Sequence, residues 1–237
     1  MRRKTNKMSK FFAIIFFVAA VAECFASGAD TLKHDTLMNT ASLKVMFKGG
    51  FPVTLNSQGY VVEGVLAAET DLWTTGPLVS FAAGFKIKLN NDGKVYEGFT
   101  AVNFIAQACN GTFYELKANT PVAFNNAGMI IEGSPAQGLE YVCNDGTRIF
   151  SEPGTDVKFY PSGQIKRLTL AETTKLSINK DEKISFMGLR SVQFDMEGFV
   201  IQGTTAKKAT FVTQNGTTVV KTQGEIVKFD SHGMLIE

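Results

Sequence analysis

Apolar and polar residues alternate along most of the chain, in a pattern that recurs about every 35 residues. The clearest part is an apolar-x-apolar strand, a polar turn that ends in Gly, and a second apolar strand. It reads VTLNSQGYVVEG from Val53, IKLNNDGKVYEG from Ile87, VAFNNAGMIIEG from Val122, VKFYPSGQIKRL from Val157, VQFDMEGFVIQG from Val192 and VKFDSHGMLIE from Val227. Period-2 alternation on both sides of a Gly-containing turn predicts a β-hairpin in every unit.

Glycine and alanine hold fixed positions in this repeat. The turn residue is Gly in all six copies, namely Gly59, Gly93, Gly128, Gly163, Gly198 and Gly233. A second Gly follows at Gly64, Gly98, Gly133 and Gly203, whereas Leu168 stands at this position in the fourth unit. Each unit closes on an alanine, at Ala67, Ala101, Ala136, Ala171 and Ala206. Such self-similarity at a fixed period is the signature of a repeat array.

The other half of each unit also has the pattern of a hairpin. Segments such as QACNGTFYEL and YVCNDGTRIF place Asn-Gly or Asp-Gly between two extended stretches. These dipeptides favour tight hairpin turns, because both central turn residues need a positive φ. Each unit is therefore predicted to hold four short strands. No linker interrupts the array, so residues 27–237 are predicted to form a single β-repeat domain.

The predicted fold class is all-β, an antiparallel β-meander built of hairpin repeats of about 35 residues. A small β-propeller and a β-solenoid are the alternatives. Glu63, Glu97 and Glu132 share one repeat position, and a solenoid would stack them about 4.8 Å apart, where like charges repel. A meander with all four strands of each unit in one sheet separates them by about 19 Å. The sequence therefore favours the meander.

One turn resembles a known repeat family. The piece FYPSGQIK, from Phe159 to Lys166, is similar to bacterial variants of the MORN repeat. The resemblance covers a few residues in each unit, and the family period is shorter than 35 residues. It implies an extended β-hairpin array with a binding or scaffolding role, and it carries over no catalytic residue.

The N-terminal residues predict export. Arg2, Arg3, Lys4, Lys7 and Lys10 precede an uncharged apolar run from Phe11 to Ala22, and small residues follow. This order is typical of a secretory signal peptide, here residues 1–26, with cleavage after Ala22 or Ala26. Twelve apolar residues are too few for a membrane-spanning helix, which needs about 20. A lipid-modified Cys24 is an alternative, which the preceding Glu23 disfavours. The protein is predicted in the periplasm, on the cell surface or outside the cell, with no transmembrane segment after cleavage.

Charge and cysteine content exclude several classes of protein. Residues 1–26 contain five basic residues and one acidic residue, so removing them changes 24 basic and 22 acidic residues to 19 and 21. A nearly neutral domain gives no basic surface for nucleic acid. Cys109 and Cys143 lie in equivalent turns of neighbouring units and are predicted to be two free thiols or one disulfide.

The residues that usually carry catalysis are scarce. Only His34 and His232 are present, and the sequence contains no HExxH, GxSxG, P-loop or GxGxxG motif. Glu63, Glu97 and Glu132 are the candidates for paired-carboxylate chemistry, but their repeating position favours a structural or solvated role. The departures from the repeat, Arg167 and Leu168, are the places where a singular site could lie. The sequence predicts no catalytic, cofactor-binding or metal site.

A binding role is the remaining prediction. Trp73, Tyr60, Tyr96, Tyr114 and Tyr141 could line a carbohydrate surface, although core packing is favoured for most of them. The sequence predicts an exported, non-enzymatic repeat protein with a binding or structural role at the cell envelope. The expected partner is an envelope or extracellular protein or a glycan. The alternative function is a secreted glycan hydrolase that depends on carboxylates.

Overall fold

The computed structural model describes residues 29–236, and within them the chain forms 24 β-strands and no helix. In chain order the strands are β1 (Ala29–Thr31), β2 (Thr36–Asn39), β3 (Lys44–Phe47), β4 (Pro52–Leu55), β5 (Val61–Val65), β6 (Thr70–Trp73), β7 (Leu78–Phe81), β8 (Lys86–Leu89), β9 (Val95–Phe99), β10 (Phe104–Gln107), β11 (Phe113–Leu116), β12 (Pro121–Phe124), β13 (Ile130–Gly133), β14 (Glu140–Val142), β15 (Arg148–Phe150), β16 (Val157–Phe159), β17 (Ile165–Thr169), β18 (Thr174–Ser177), β19 (Lys183–Phe186), β20 (Ser191–Phe194), β21 (Val200–Thr204), β22 (Ala209–Val212), β23 (Thr218–Lys221) and β24 (Ile226–Lys228). The predicted signal peptide and Cys24 lie outside the described residues. None of the described residues belongs to a helix that could cross a bilayer.

Half of these strands form one long antiparallel sheet. Its order is β1-β4-β5-β8-β9-β12-β13-β16-β17-β20-β21-β24. The other strands form six separate hairpins, β2–β3, β6–β7, β10–β11, β14–β15, β18–β19 and β22–β23; the first five each precede a pair of sheet strands, and the sixth precedes β24. The prediction of an all-β antiparallel meander is confirmed, and so are the four strands in each unit. The structure is neither a propeller nor a solenoid.

The predicted spacing of the glutamates is wrong, because only two strands of each unit join the sheet. Glu63 pairs with Lys88, Lys88 pairs with Glu97, Glu97 pairs with Ala123, and Ala123 pairs with Glu132. Successive glutamates are therefore two strands apart, about 10 Å, and not four strands apart. The chain leaves the sheet to form a hairpin in a second layer before it returns.

The core lies between the sheet and the hairpins. In the first unit, Val53 and Leu55 of the sheet and Val45 and Phe47 of the hairpin β2–β3 are buried in one hydrophobic cluster. Alternate residues of each strand face this core, which explains the period-2 pattern of the sequence. Burying each such side chain contributes about 1.5–3 kcal/mol. The hairpins are thus the second layer of a sandwich, since a hairpin alone is at best marginally stable.

Four of the six repeated Gly turns use one local mechanism. Asn56 Oδ1 accepts hydrogen bonds from the backbone N–H groups of Gln58 and Tyr60, both at 3.0 Å. Asn and Asp side chains favour turns because they can bond the backbone in this way. Gly59 follows with φ of 80°, a conformation that glycine adopts at little cost. Asn90, Asn125 and Asp230 repeat both hydrogen bonds.

The tips of the first five hairpins each rest on the sheet turn of the following unit. Ser42 Oγ donates to the carbonyl of Gly93 at 3.0 Å, and Thr75 Oγ1 donates to the carbonyl of Asn125 at 2.7 Å. Asn144 Nδ2 donates to the carbonyl of Glu197 at 2.6 Å. These contacts join residues about 50 positions apart in the sequence, so they hold successive units together.

The second repeated Gly makes room for a large side chain of the hairpin layer. A Cβ atom at Gly98 would lie 2.5 Å from Cδ1 of Phe81, and Gly64 stands against Phe47 in the same way. In the fourth unit the small and the large residue change places. Ser151 stands at the hairpin position of Phe81, Leu168 stands at the sheet position of Gly98, and both are buried. Ser151 Oγ accepts a hydrogen bond from the backbone N–H of Leu139 at 2.9 Å. Leu168 therefore breaks the Gly series as half of a complementary exchange.

Candidate functional site

The outer face of the long sheet, away from the hairpins, carries a row of paired charges. Lys88 Nζ lies 2.6 Å from Glu97 Oε2, Lys158 Nζ lies 2.6 Å from Glu132 Oε2, and Lys86 Nζ lies 2.7 Å from Glu63 Oε1. The hydrogen bond to Glu97 raises the pKa of Lys88. All of these side chains are partly exposed, and such ion pairs contribute about 0–1 kcal/mol each. The candidate carboxylates Glu63, Glu97 and Glu132 thus have cross-strand lysine partners.

One position breaks this row. Ala123 lies between Glu97 and Glu132 in the sheet. The equivalent repeat position holds Lys88 in the preceding unit and Lys158 in the following unit. A lysine there would cover the sheet and contact both carboxylates. The methyl group of Ala123 is much shorter than a lysine side chain and leaves room above it for a groove.

A groove of about 280 Å³ occupies this opening. We call it the sheet groove, and it is lined by Phe85, Lys86, Lys88, Glu97, Gly98, Phe99, Pro121, Val122, Ala123 and Glu132. Phe99 pairs across the strands with Pro121, and its ring stacks on Phe85 with a centroid distance of 3.9 Å and an interplanar angle of 3°. The floor is therefore apolar. Its volume is close to the lower limit of about 300 Å³ for small-molecule sites.

The polar groups of the sheet groove are fixed before any ligand arrives. Glu97 and Glu132 are each held by a lysine ammonium, so their oxygens are positioned hydrogen-bond acceptors, and Lys88 is a positioned donor. Both signs of charge are present and neutralise each other locally. General acid–base catalysis needs a proton donor or acceptor that is poised at the reacting atom. Carboxylates held in ion pairs are better suited to orienting a ligand.

A second polar cluster lies between hairpin tips and supports the fold. Asp145 accepts hydrogen bonds from Ser177 Oγ at 2.6 Å and from the backbone N–H of Thr147 at 2.8 Å, and Lys183 Nζ lies 2.8 Å away. Burial works against the charge on Asp145, but these donors outweigh it and hold its pKa well below the usual range. The cluster lines a pocket of about 250 Å³. Because its donors and acceptors satisfy each other, we interpret it as a contact between neighbouring units.

The two cysteines do not form a disulfide. Cys109 Sγ accepts a hydrogen bond from Asn125 Nδ2 at 3.3 Å. Burial raises the pKa of the Cys143 thiol to about 11, which is typical of an inert thiol. Neither cysteine belongs to the sheet groove.

Arg167 and Leu168, the departures from the repeat, both make contacts that stabilise the fold. Arg167 forms an ion pair with Asp156 on the outer face of the sheet, and Leu168 belongs to the hydrophobic core. Burial, followed by the charge of Glu132, raises the pKa of Asp156 against the opposing effect of Arg167. Both departures from the repeat therefore have a structural explanation in packing and charge pairing.

The remaining candidates are spread over the molecule. His232 is exposed in the last described turn, and its backbone N–H donates to Asp230 Oδ1 at 2.9 Å. Tyr114 and Tyr141 pack against the core, as the sequence favours for most of the aromatic residues. Trp73 differs, because it is exposed on a hairpin. Within residues 29–236, no three His, Cys, Asp or Glu side chains come close enough to hold a metal ion.

Comparisons with protein-family models and with curated proteins found no match. The resemblance to MORN variants therefore stays a prediction. The proposed function rests on the chemistry of the protein surface.

Sequence reasoning missed the sheet groove. Its lining residues lie on four different sheet strands and one connection, and they become neighbours only through strand pairing. A signal was nevertheless present. Aligning the repeats places Thr54, Lys88, Ala123, Lys158, Gln193 and Lys228 at one position, and Ala123 alone lacks a polar side chain.

Proposed function

We propose that this chain is an exported, non-enzymatic binding protein of the cell envelope, and that the sheet groove binds a glycan. The observation that carries the proposal is the apolar floor at Phe99, Pro121 and Ala123 between two pre-positioned carboxylates. The repeat supplies a regular sheet surface. Because Ala123 replaces the lysine of the neighbouring units, the sheet groove differs from the rest of this surface. The basic, apolar and small-residue order of residues 1–26 supports the envelope location.

A sugar ring suits this combination of surfaces. One face of a pyranose ring presents C–H groups, which can pack on the exposed edge of the Phe99 ring, Pro121 and Ala123. Its hydroxyl groups lie around the edge of the ring, where each can donate to a carboxylate or accept from an ammonium group. Because Glu97 and Glu132 are already neutralised by lysines, the groove favours a neutral polar ligand over a cation.

A carboxylate-dependent glycan hydrolase is the second candidate, and one observation favours it. Glu97 and Glu132 flank the same groove, with backbones about 10 Å apart across two strand spacings. Inverting glycoside hydrolases hold two carboxyl groups about 6.5–9.5 Å apart. The lysine partners of both residues favour binding over hydrolysis, since a hydrolase needs one of the two carboxyl groups to donate a proton.

Restoring the missing lysine tests the binding site. Ala123→Lys places an ammonium group between Glu97 and Glu132 and fills the groove, as Lys88 and Lys158 do in the neighbouring units. We expect binding to immobilised cell-wall and capsular glycans to weaken at least about tenfold, about 1.4 kcal/mol. Isothermal titration or surface plasmon resonance with the tightest-binding glycan measures this change.

Thr54→Lys is the matched control. It adds a lysine at the same repeat position of the first unit, opposite Glu63 and away from the sheet groove. Thermal unfolding of both variants is measured beside the wild type, because Ala123 is only 8% exposed and a loss of binding has to be separated from a loss of folding. Glycan binding that is equally strong in the wild type and in Ala123→Lys would contradict the proposed site.

A further inference from the structure

The outer face of the hairpin layer exposes large apolar side chains in four consecutive units. The first hairpin exposes the cross-strand pair Leu37 and Met46, and the second exposes Trp73 and Leu78. Trp73 is 54% exposed although tryptophan usually buries most of its surface. These side chains point away from the core, because the alternate residues of the same strands are the buried ones.

The third and fourth hairpins continue this surface. Ile105 and Phe113 of the third hairpin are 67% and 65% exposed, and the fourth hairpin exposes Val142 and Phe150. We call these eight side chains together the apolar hairpin face. The hairpins follow the order of the sheet strands at intervals of two strands, about 10 Å, so the exposed side chains of neighbouring hairpins lie side by side.

The fifth hairpin shows that the fold does not need this apolar surface. Its outward positions hold Lys175, Ser177, Lys183 and Ser185, while Leu176 and Ile184 are buried towards the core like their equivalents. A hairpin of this array therefore forms and packs with a fully polar outer face. The apolar residues of the first four hairpins need a reason other than folding, and contiguous exposed apolar patches mark interaction sites.

We infer that the apolar hairpin face is a dimer interface that binds the same face of a second copy of this chain. This inference goes beyond the proposed glycan binding. It rests on different residues, on the layer opposite the sheet groove.

The size and shape of the face suit a second copy. Four units span about 40 Å across the strands, and strands of four residues are about 13 Å long, so the face measures about 500–600 Å². Two copies would bury about 1,100 Å² in total, close to the lower end of the ~1,200–2,000 Å² of specific interfaces. A two-fold axis can place one such patch on itself, which is the commonest arrangement of soluble homo-oligomers.

The charges on the face also favour a second copy over an anionic membrane. The outward positions of the four hairpins contain two cations, Lys44 and Arg148, and three carboxylates, Asp71, Glu115 and Glu140. Arg148 Nη1 already binds Glu140 Oε1 at 2.9 Å. Peripheral membrane binding usually adds lysine and arginine to the apolar residues. A face that is almost neutral neither attracts anionic lipid nor repels its own copy.

Sedimentation velocity of the purified protein tests the inference. We expect a concentration-dependent dimer in the wild type, with dissociation constants no weaker than about 10–100 µM. The double variant Trp73→Lys with Phe113→Lys should weaken dimerisation at least about tenfold, because two unpaired charges would be buried. Val220→Lys is the matched control, since Val220 is exposed on the sixth hairpin, beyond the polar fifth one. It should dimerise like the wild type.

Thermal unfolding separates a loss of dimerisation from a loss of folding. All three substituted side chains are about half exposed or more, so both variants should unfold at the midpoint of the wild-type monomer. A wild type that remains monomeric at ~100 µM would overturn the inference. So would a double variant that dimerises like the wild type. Co-sedimentation of a monomeric wild type with phosphatidylglycerol vesicles would assign the face to a membrane and would also overturn it.

Discussion

Replacing Phe186 with Ser is expected to destabilise the fold by about 3–5 kcal/mol. Phe186 is fully buried between the fifth hairpin and the sheet, where Gly203 leaves room for its ring. Removing the ring opens a cavity that the backbone at Gly203 cannot fill. Urea unfolding with an unchanged m-value would report this loss as a lower midpoint.

A second substitution should restore much of that stability. Gly203→Leu alone adds a Cβ atom that would lie 2.7 Å from Phe186 Cε1, and overpacking of this kind costs about 1–3 kcal/mol. The double variant Phe186→Ser with Gly203→Leu reproduces the combination of Ser151 and Leu168 in the neighbouring unit. We expect it to lose at least about 2 kcal/mol less than the sum of the two single variants.

The reciprocal pair gives the matched comparison. Ser151→Phe with Leu168→Gly should likewise be more stable than the sum of its single variants predicts. If the changes in the free energy of unfolding of the single variants simply add at both sites, the hairpin and sheet side chains do not fill the same volume. That result would contradict the explanation of Leu168 as half of a complementary exchange.

Replacing Gly128 with Ala is expected to cost about 3 kcal/mol, in two separate parts. Gly128 has φ of 80°, and an L-residue in the left-handed region costs about 1–2 kcal/mol. The new Cβ atom would also lie 2.6 Å from the backbone N of Gly76 and 2.7 Å from the carbonyl of Thr75. The second hairpin would have to move away and lose the hydrogen bond from Thr75 Oγ1 to Asn125.

Gly59→Ala separates these two parts. Gly59 has the same φ of 80°, but a Cβ atom there meets nothing within 4 Å, because no described hairpin tip rests on that turn. We therefore expect only the conformational cost of about 1–2 kcal/mol. Hydrogen exchange should become faster around residues 74–77 in Gly128→Ala and stay unchanged there in Gly59→Ala. Equal losses of stability in the two variants would show that the hairpin tips do not hold the units together.

The period-2 pattern and the turn glycines were sufficient to predict the strands, the 35-residue unit and the antiparallel meander. They were not sufficient to predict which strands form the sheet. Both halves of each unit alternate in the same way, since a hairpin of either layer needs one apolar face. The deciding information is the fit of Gly98 against Phe81 and its equivalents, and this fit exists only once two layers are stacked.

The sheet groove was beyond sequence reasoning for a similar reason. Glu97, Ala123 and Glu132 are neighbours in the sheet although 35 residues separate the first from the last. Their proximity depends on the register of three strands, which a local window of sequence does not contain. The sequence also left open whether Trp73 is exposed or packs in the core, because an isolated tryptophan in an alternating segment fits either face of a strand.

Binding without turnover at the sheet groove is the central claim, and product analysis with a bound glycan tests it most directly. The glycan that the wild type binds most tightly is incubated with saturating protein, and new reducing ends are measured over time beside the binding isotherm. We predict saturable binding with no product above the protein-free control, and weaker binding in Glu97→Gln and Glu132→Gln. Release of product by the wild type that either Glu→Gln substitution abolishes would contradict the account and identify the groove as a hydrolase site.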